Sequence, residues 1–261
     1  MKQSRQAVDT RRANILTLIR ERKRIRVEEL AALYNVSLMT IRRDLQALED
    51  QGKIGRYYGG ASVDPGMVSE AEKDPIAVYR HMISRCGAGL AEPGDCLFIN
   101  GSNTALDVLD YLDHTPVSVF TNNAQATDRR FPSGVEVTLS GGDLRQPGHI
   151  MTGDCAMRNL LMAHADKAFL GCTGISPDGE ILCGIPTELA INETMIAHAD
   201  RYYILADHTK IGKSGTYASF SLENAGTLIT DAQADRHILD RLRDRGMQVI
   251  QVGRTDVESE R

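Results

Sequence analysis

The chain has 261 residues, of which 42% are apolar and 25% charged, and its formal net charge is −5. This composition is typical of a folded globular protein and excludes a chain that is disordered throughout. No segment approaches the roughly 18 consecutive apolar residues of a membrane-spanning helix. The charged first thirty residues lack the apolar core of a secretory signal, so we expect a cytoplasmic protein.

Charge is divided unevenly along the chain. Residues 1–60 carry a net charge of +6, and residues 61–261 carry −11. A basic end on an acidic body is typical of proteins in which only that end binds a polyanion. A solvated basic surface gives the same count, so the order of the residues has to decide between the two.

Three short helical patterns occupy the N-terminal sixty residues, at 11–23, 27–34 and 38–50. Asn35 tolerates a left-handed turn and Ser37 is a good helix N-cap, so one helix can end and the next begin within four residues. This order predicts a helix-turn-helix. The predicted inward stripes are Ile15, Leu16, Leu18 and Ile19, then Val27, Leu30, Ala31 and Leu33, then Ile41, Leu45 and Leu48.

The third helix is amphipathic. Its apolar stripe is predicted to pack inward, while Met39, Thr40 and Arg43 face outward and Arg42 lies on the flank. Such a helix suits the major groove of DNA, where arginine can donate two hydrogen bonds to one guanine. An ordinary amphipathic surface helix is the alternative.

Basic residues also lie after the third helix and between the first two. Residues 53–61, KIGRYYGGA, are short, basic and bounded by glycine, and they predict a β-hairpin wing that contacts phosphate or the minor groove. A second basic cluster is expected in a solvated turn, with phosphate contact by one or two of its members as the alternative. Its members are Arg20, Arg22, Lys23, Arg24 and Arg26.

The run VSLMTIRRDL at residues 36–45, followed by Leu48, Glu49, Gly52 and RYYGGA at 56–61, resembles the signature of DeoR-family bacterial transcription regulators. The resemblance implies that residues 27–46 read DNA. Family members usually have His where this chain has Tyr58, but a phenol can also donate to a phosphate oxygen. The DNA contacts predicted on this basis are Ser37, Met39, Thr40, Arg42, Arg43, Arg56 and Tyr58. Asp44 is expected to be structural and to pair with a neighbouring arginine, because a carboxylate facing phosphate would oppose binding.

Residues 62–75 contain two prolines and little periodicity, which predicts a linker. We therefore expect a winged helix-turn-helix domain at 1–61, the linker at 62–75, an effector domain at 76–252 and a frayed tail at 253–261. In the effector domain, strand patterns alternate with helical ones, which predicts an α/β fold with a mainly parallel sheet. The predicted strands are 96–99, 117–120, 135–139, 167–170, 202–205, 227–229 and 248–252.

Four of these strands end in small, hydroxyl or amide residues, and a helix is predicted over 105–112 after the first. Ligands bind at the carboxyl ends of parallel strands, and exposed amides at a helix N-terminus favour phosphate. A plain turn is the alternative for each motif alone. The predicted effector contacts from these strand ends are Asn100, Gly101, Ser102, Asn103 and Thr104, then Thr121, Asn122 and Asn123, then Gly141 and Gly142, then Gly171, Thr173 and Gly174.

The signatures of several other site classes are missing from the sequence. It has no GxxxxGK[ST] loop and no GxSxG elbow, and Gly87 and Gly89 precede a strand instead of following one, which argues against a dinucleotide fingerprint. The cysteines are widely spaced, so we expect reduced, mostly buried thiols, no metal site and no cofactor. They are Cys86, Cys96, Cys155, Cys172 and Cys183.

The segments TELA at 187–190 and LADHTKIG at 205–212 look like ligand-domain motifs of the DeoR family, so the resemblance covers nearly all of residues 1–252. It implies an effector domain similar to ribose-5-phosphate isomerase and glucosamine-phosphate deaminase folds, and phosphorylated sugars as inducers. Glu188, Asp207 and Lys210 join the predicted effector site. Asn100 stands where the family commonly has Asp, and Asn192 where it commonly has Lys.

Three function classes remain to be weighed. Glu188, Asp207 and Lys210 suit a sugar-phosphate isomerase or deaminase as base, orienting carboxylate and cation. They suit ligand binding equally well, with Lys210 on the phosphate and the carboxylates on hydroxyls, and a structural ion pair is the third alternative. A DNA-architectural protein without a ligand fits poorly with four small-residue strand ends. Because a DNA-reading segment precedes the effector domain, we predict a homo-oligomeric, DNA-binding repressor of a carbohydrate-utilisation operon, relieved by a phosphorylated sugar. Activation is compatible with the same sequence.

Overall fold

The computed structural model describes residues 5–57, 60–63, 74, 76–113, 115–146, 148–221 and 226–253. The chain divides into two compact units, Met1–Val78 and Tyr79–Arg261. Nearly all of the predicted linker and tail, and Tyr58, lie outside the described residues. No helix within the described ranges has the length and apolar character needed to cross a membrane.

The N-terminal unit is a winged helix-turn-helix, as predicted. It contains α1 Arg5–Arg22, β1 Arg24–Arg26, α2 Val27–Tyr34, α3 Leu38–Glu49, β2 Gly55–Tyr57 and β3 Gly60–Ser62. The strands form an antiparallel sheet in the order β1-β3-β2. The core is made where Ile15 and Ile19 of α1 meet Leu30 of α2 and Ile41 and Leu45 of α3, all fully buried.

Two expectations for this unit were wrong. Leu33 is 57% exposed, because at 100° per residue it lies nearly opposite Ala31 on α2. Arg24 and Arg26 are not in a solvated turn but flank the buried Ile25 in β1. This strand exists because β3 supplies its hydrogen-bond partners from more than thirty residues away, which no local pattern indicates.

The C-terminal unit alternates strands and helices. In chain order it contains α4 Ala77–Ala88, β4 Cys96–Ile99, α5 Asn103–Leu106, β5 Val117–Thr121, β6 Val135–Leu139, β7 Asp143–Arg145, β8 Ile150–Thr152, α6 Gly153–Leu161, β9 Ala165–Gly171, β10 Gly174–Ile175, β11 Glu180–Cys183, α7 Pro186–Ala197, β12 Ala199–Leu205, β13 Tyr217–Ser221, β14 Thr227–Asp231, α8 Arg236–Asp244 and β15 Gln248–Val252. Single 3₁₀ turns occur at Asp107–Tyr111, Ala124–Asp128 and His208–Lys210.

Seven parallel strands form the central sheet, in the order β15-β14-β12-β9-β4-β5-β6, and each was predicted. Buried side chains cover both faces, with Phe98 in the core on one face and Phe169 in the core on the other. The chain runs outward from β4 through β5 to β6, then returns to place β9 on the other side of β4. The crevice between the ends of β4 and β9 is therefore the topological switch point of the sheet, the usual ligand site in such folds.

The predicted helix over 105–112 is only partly present. It is α5 followed by a 3₁₀ turn, and Arg129 Nη1 donates to Leu106 O at 3.3 Å, a carbonyl that a continuing helix would use itself. The antiparallel pairs β7-β8 and β10-β11-β13 were not predicted.

None of the five cysteines is in a disulfide, but only Cys183 is buried and Cys155 is exposed, so the prediction of mostly buried thiols was wrong. Among the described residues, no three His, Cys, Asp or Glu are grouped to hold a metal ion.

Candidate functional site

The turn between α2 and α3 is built by two residues. Asn35 has φ 48° and ψ 51°, the left-handed conformation that ends α2. Ser37 caps α3, because its Oγ accepts a hydrogen bond from Thr40 N at 3.1 Å. Both features were predicted, and together they fix the direction in which α3 leaves the turn.

The outward side of α3 carries the predicted DNA contacts. Met39 is 54% exposed, Arg42 and Arg43 are exposed, and Thr40 is partly buried with its Oγ1 2.9 Å from Ser37 Oγ. In the described part of the chain, neither Arg42 nor Arg43 has an ion pair. Their guanidinium groups therefore remain available to a polyanion, and contact with DNA stays a prediction for these residues.

Asp44 links α3 to α1 from inside the unit. Its carboxylate is 2% exposed and accepts from Arg11 Nε at 2.6 Å and Arg12 Nε at 2.9 Å. The structural role expected for Asp44 is thus confirmed. Its partners come from α1, a pairing between distant residues that the sequence pattern did not indicate.

Arg56 has partners within the protein. Its Nη1 donates to Gln46 Oε1 and lies 3.6 Å from Glu49 Oε2, and its backbone N donates to Glu49 Oε1 at 3.3 Å. These contacts tie β2 to the last turns of α3. Arg56 therefore positions the wing, whether or not it also reaches a phosphate.

A cavity of about 190 Å³ lies at the switch point of the sheet, and we call it the switch-point cavity. Seven of the predicted effector residues line it, namely Asn100, Gly101, Ser102, Asn122, Gly171, Thr173 and Glu188. The other lining residues were not predicted as contacts and are Ile150, Cys172, Leu182, Cys183 and Asn192. Asn192, singled out in the sequence as a departure from the family pattern, follows Glu188 by four residues and so shares its face of α7.

Nine predicted effector residues do not line the switch-point cavity. They are Asn103, Thr104, Thr121, Asn123, Gly141, Gly142, Gly174, Asp207 and Lys210. Gly141 and Gly142 follow β6, which is the edge strand of the sheet, so they lie away from the switch point. Four strand ends on one sheet edge were expected to act together, and three of them reach this cavity.

Asn100 uses its hydrogen-bonding capacity within the protein. Its Oδ1 accepts from Ser102 N at 3.2 Å and Gly171 N at 3.0 Å. Its Nδ2 donates to Gly171 O at 2.9 Å and to Asn192 Oδ1 at 3.0 Å. With two acceptor and two donor positions filled, Asn100 holds the ends of β4 and β9 against α7 and has no strong hydrogen bond left for a ligand.

The small residues at these strand ends allow close packing. A Cβ at Gly171 would collide with Ser102 Oγ, and one at Gly101 would lie 2.7 Å from Ile150 Cγ1. The amides expected to hold a phosphate are engaged as well, since Thr173 N donates to Leu182 O at 3.0 Å and the amides of residues 102 and 171 donate to Asn100. These three amides already have hydrogen-bond partners within the protein, and phosphate binding at these positions stays a prediction.

Burial perturbs two acidic groups on the cavity wall. It raises the pKa of Glu188 above its ordinary value, and a hydrogen bond from the Gly184 backbone opposes part of that effect. Cys172 is half-buried, and desolvation by the atoms around its thiol raises its pKa to about 12, with the positive charge of Lys210 acting in the opposite direction. The Cys172 thiol is therefore protonated and unreactive at neutral pH.

The three residues considered for catalysis do not converge on the switch-point cavity. Only Glu188 lines it. Asp207 is 2% exposed, and its carboxylate caps the 3₁₀ turn by accepting from Thr209 N at 3.0 Å. Next to it, His208 Nδ1 lies 2.9 Å from Asp231 Oδ1. These side chains hold their own turn and are not among the lining residues, which argues against a base, a carboxylate and a cation acting on one substrate.

Comparison with known proteins gives consistent matches for both units. Residues 11–65 match the family described as DeoR-like helix-turn-helix domain, and residues 77–232 match the DeoR C terminal sensor domain. The chain is 30% identical over 241 residues to the HTH-type transcriptional repressor GlcR of Bacillus subtilis (strain 168), covering 90% of this chain and 93% of the relative. It is 28% identical over 246 residues to the Glycerol-3-phosphate regulon repressor of Escherichia coli (strain K12), covering 92% and 98%.

A third relative is the Lactose phosphotransferase system repressor of Streptococcus mutans serotype c (strain ATCC 700610 / UA159), 29% identical over 235 residues, covering 87% of this chain and 93% of the relative. Among solved structures, ribose 5-phosphate isomerase a from Methanocaldococcus jannaschii matches with 12% identity and a TM-score of 0.38, over 52% of this chain and 55% of that one. The three relatives are named as repressors, which favours a regulator over an enzyme. The sensor-domain match alone spans more than half of the residues of this chain. The chain therefore belongs to the DeoR family of transcriptional regulators.

Proposed function

We propose that this regulator represses a carbohydrate-utilisation operon and that a phosphorylated sugar, bound in the switch-point cavity, relieves the repression. The observation that carries the proposal is a cavity at the switch point of the sheet in a chain that begins with a helix-turn-helix. Two of the relatives carry names that refer to the glycerol-3-phosphate regulon and to the lactose phosphotransferase system, which supports a carbohydrate-linked effector. Such a repressor works in the cytoplasm, where it meets chromosomal DNA.

Operator binding is assigned to α3 and the wing. Arg42 and Arg43 are exposed and lack ion pairs among the described residues, so they are the side chains best placed to reach base edges or phosphates. A single recognition helix reads only a few base pairs. We therefore infer a homo-oligomer, a dimer or tetramer, that places two or more α3 helices on repeated half-sites.

Relief of repression follows from linkage between the two ligands. A sugar phosphate that binds better to the geometry unsuited to DNA shifts the population of the protein away from the operator. A tenfold loss of operator affinity requires about 1.4 kcal/mol of difference in binding free energy between the two geometries. No covalent step is involved, so the cavity needs recognition and not catalysis.

The proposal is tested by fluorescence anisotropy on DNA from upstream of its own and neighbouring genes, with scrambled DNA as the control and a panel of sugar phosphates as effectors. We expect specific binding that one phosphorylated sugar releases. Arg43→Ala should cost about 1–3 kcal/mol of specific binding and relax the base preference. Failure to prefer the native DNA at moderate salt, together with turnover of a sugar phosphate, would contradict the proposal.

A further inference from the structure

The wall of the switch-point cavity contains a buried acceptor that has no partner. Asn122 is 2% exposed, and its Nδ2 donates to Met151 O at 3.1 Å, which fixes the orientation of the amide. In the described part of the chain, Asn122 Oδ1 receives no hydrogen bond. A buried carbonyl oxygen without a donor is costly, so a ligand that donates to it gains affinity.

The charge of the wall points to the same kind of ligand. Glu188 is the one carboxylate among the lining residues, and none of them is Lys, Arg or His. No cation within the described ranges forms an ion pair with Glu188, and burial already disfavours its charged form, which raises its pKa. A phosphate beside Glu188 would place a second negative charge in a poorly solvated space, which is strongly unfavourable.

Donors on the wall are largely used up. Both N–H groups of Asn100 Nδ2 donate to other protein atoms, and the backbone N–H groups of Ser102 and Gly171 donate to Asn100 Oδ1. The wall thus offers acceptors at Glu188 and Asn122, and none of its lining residues carries a positive charge. The charge of Lys210 acts on Cys172, but Lys210 is not among the lining residues. Hydroxyl groups supply donors to such acceptors without adding charge.

We infer that the switch-point cavity recognises the uncharged, hydroxyl-bearing part of its effector through Glu188 and Asn122, and that any phosphate on the same effector lies away from Glu188. This inference rests on the proposed effector function of the cavity. It names the part of the ligand that is read there and assigns Glu188 as a specificity-determining residue. It also predicts how the sugar and its phosphate ester respond to the same substitution.

The test is isothermal titration calorimetry on the full chain with triose, pentose and hexose phosphates, their unphosphorylated parents and inorganic phosphate. Glu188→Gln keeps the shape of the side chain and removes its charge. A hydrogen bond to a charged acceptor is stronger than one to a neutral acceptor, so we expect about tenfold weaker binding of the best sugar phosphate. Binding of the unphosphorylated parent sugar should weaken by the same factor, because the phosphate group lies away from residue 188. Glu180→Gln, an exposed position on β11, is the matched control and should change nothing.

Each outcome separates this inference from the proposed function. Tighter binding of the sugar phosphate to Glu188→Gln would place the phosphate beside Glu188 and overturn the inference, while the proposed function stands; unchanged binding would overturn it as well. Binding of neutral sugars alone, weakened by Glu188→Gln, would support the inference and contradict a phosphorylated effector. No binding by any probe would contradict both. Asn122→Ala is expected to weaken the binding of the same ligands. If Asn122→Ala does not fold, the result for Glu188→Gln still tests the inference.

Discussion

At the scale of single residues, Asn100 and Asn192 form a neutral hydrogen-bonded pair in the floor of the switch-point cavity. The 3.0 Å bond between their side chains joins positions 92 residues apart. The sequence singles out both positions only as departures from the family pattern of Asp and Lys. The structure shows that the two positions meet, as a neutral amide pair where the family resemblance implies Asp and Lys.

Asn100→Asp should destabilise the C-terminal unit by about 3 kcal/mol, because a second oxygen would replace the Nδ2 that donates to Gly171 O and Asn192 Oδ1. Asn192→Lys in the same chain supplies a donor and a compensating charge, and it should recover at least half of that loss. Thermal unfolding of the single and double variants measures both effects. Asn103→Asp, at an exposed position, is the control. A double variant less stable than either single one would contradict this account.

At the scale of elements, the direction of α3 depends on contacts that lie outside it. The cap at Ser37 is local and was predicted from the sequence. The link from Asp44 to Arg11 and Arg12 of α1, and the tie from Arg56 of β2 to α3, join residues that are seven to more than thirty positions apart. The local signal thus sets where α3 begins, while α1 and the wing hold it in position.

Asp44→Asn should lower the unfolding free energy of the N-terminal unit by about 3 kcal/mol, because it removes the charge that balances two partly buried arginines. Asp50→Asn, at the exposed end of α3, should be nearly neutral. Thermal unfolding followed by circular dichroism compares the two. At temperatures where Asp44→Asn remains folded, its preference for native over scrambled DNA should persist, because Asp44 is buried and paired with α1. Loss of that preference without loss of stability would show that Asp44 contacts DNA.

At the scale of the whole molecule, DNA and the proposed effector bind to parts of the chain that carry opposite net charge. The first sixty residues carry +6 and the remainder −11, and the cavity wall has one carboxylate and no cation among its lining residues. DNA binding by the basic end releases counterions from the polyanion and therefore depends strongly on salt. Recognition of hydroxyl groups in a cavity releases few ions and depends on salt weakly.

We expect operator affinity to fall at least about tenfold between about 50 mM and about 200 mM monovalent salt, while effector affinity changes less than about twofold. Anisotropy measures the first quantity and calorimetry the second, on the same preparation. Equal salt dependence for both ligands would mean that the effector is held mainly by charge. Such a result would also count against hydroxyl recognition at Glu188.

By itself the sequence determined the two kinds of architecture and all seven strands of the main sheet, because helix caps, turn residues and apolar periodicity act over a few neighbouring residues. It also indicated that the carboxyl ends of the strands would carry the site. Only the tertiary structure decided which strand ends meet, since β4 and β9 become neighbours through pairing between residues about seventy positions apart. It likewise decided that Asn100 positions the walls and that Ile150, Leu182 and Asn192 complete the cavity. Such contacts depend on the packing of distant segments, and the free energy of that packing leaves no local pattern in the chain.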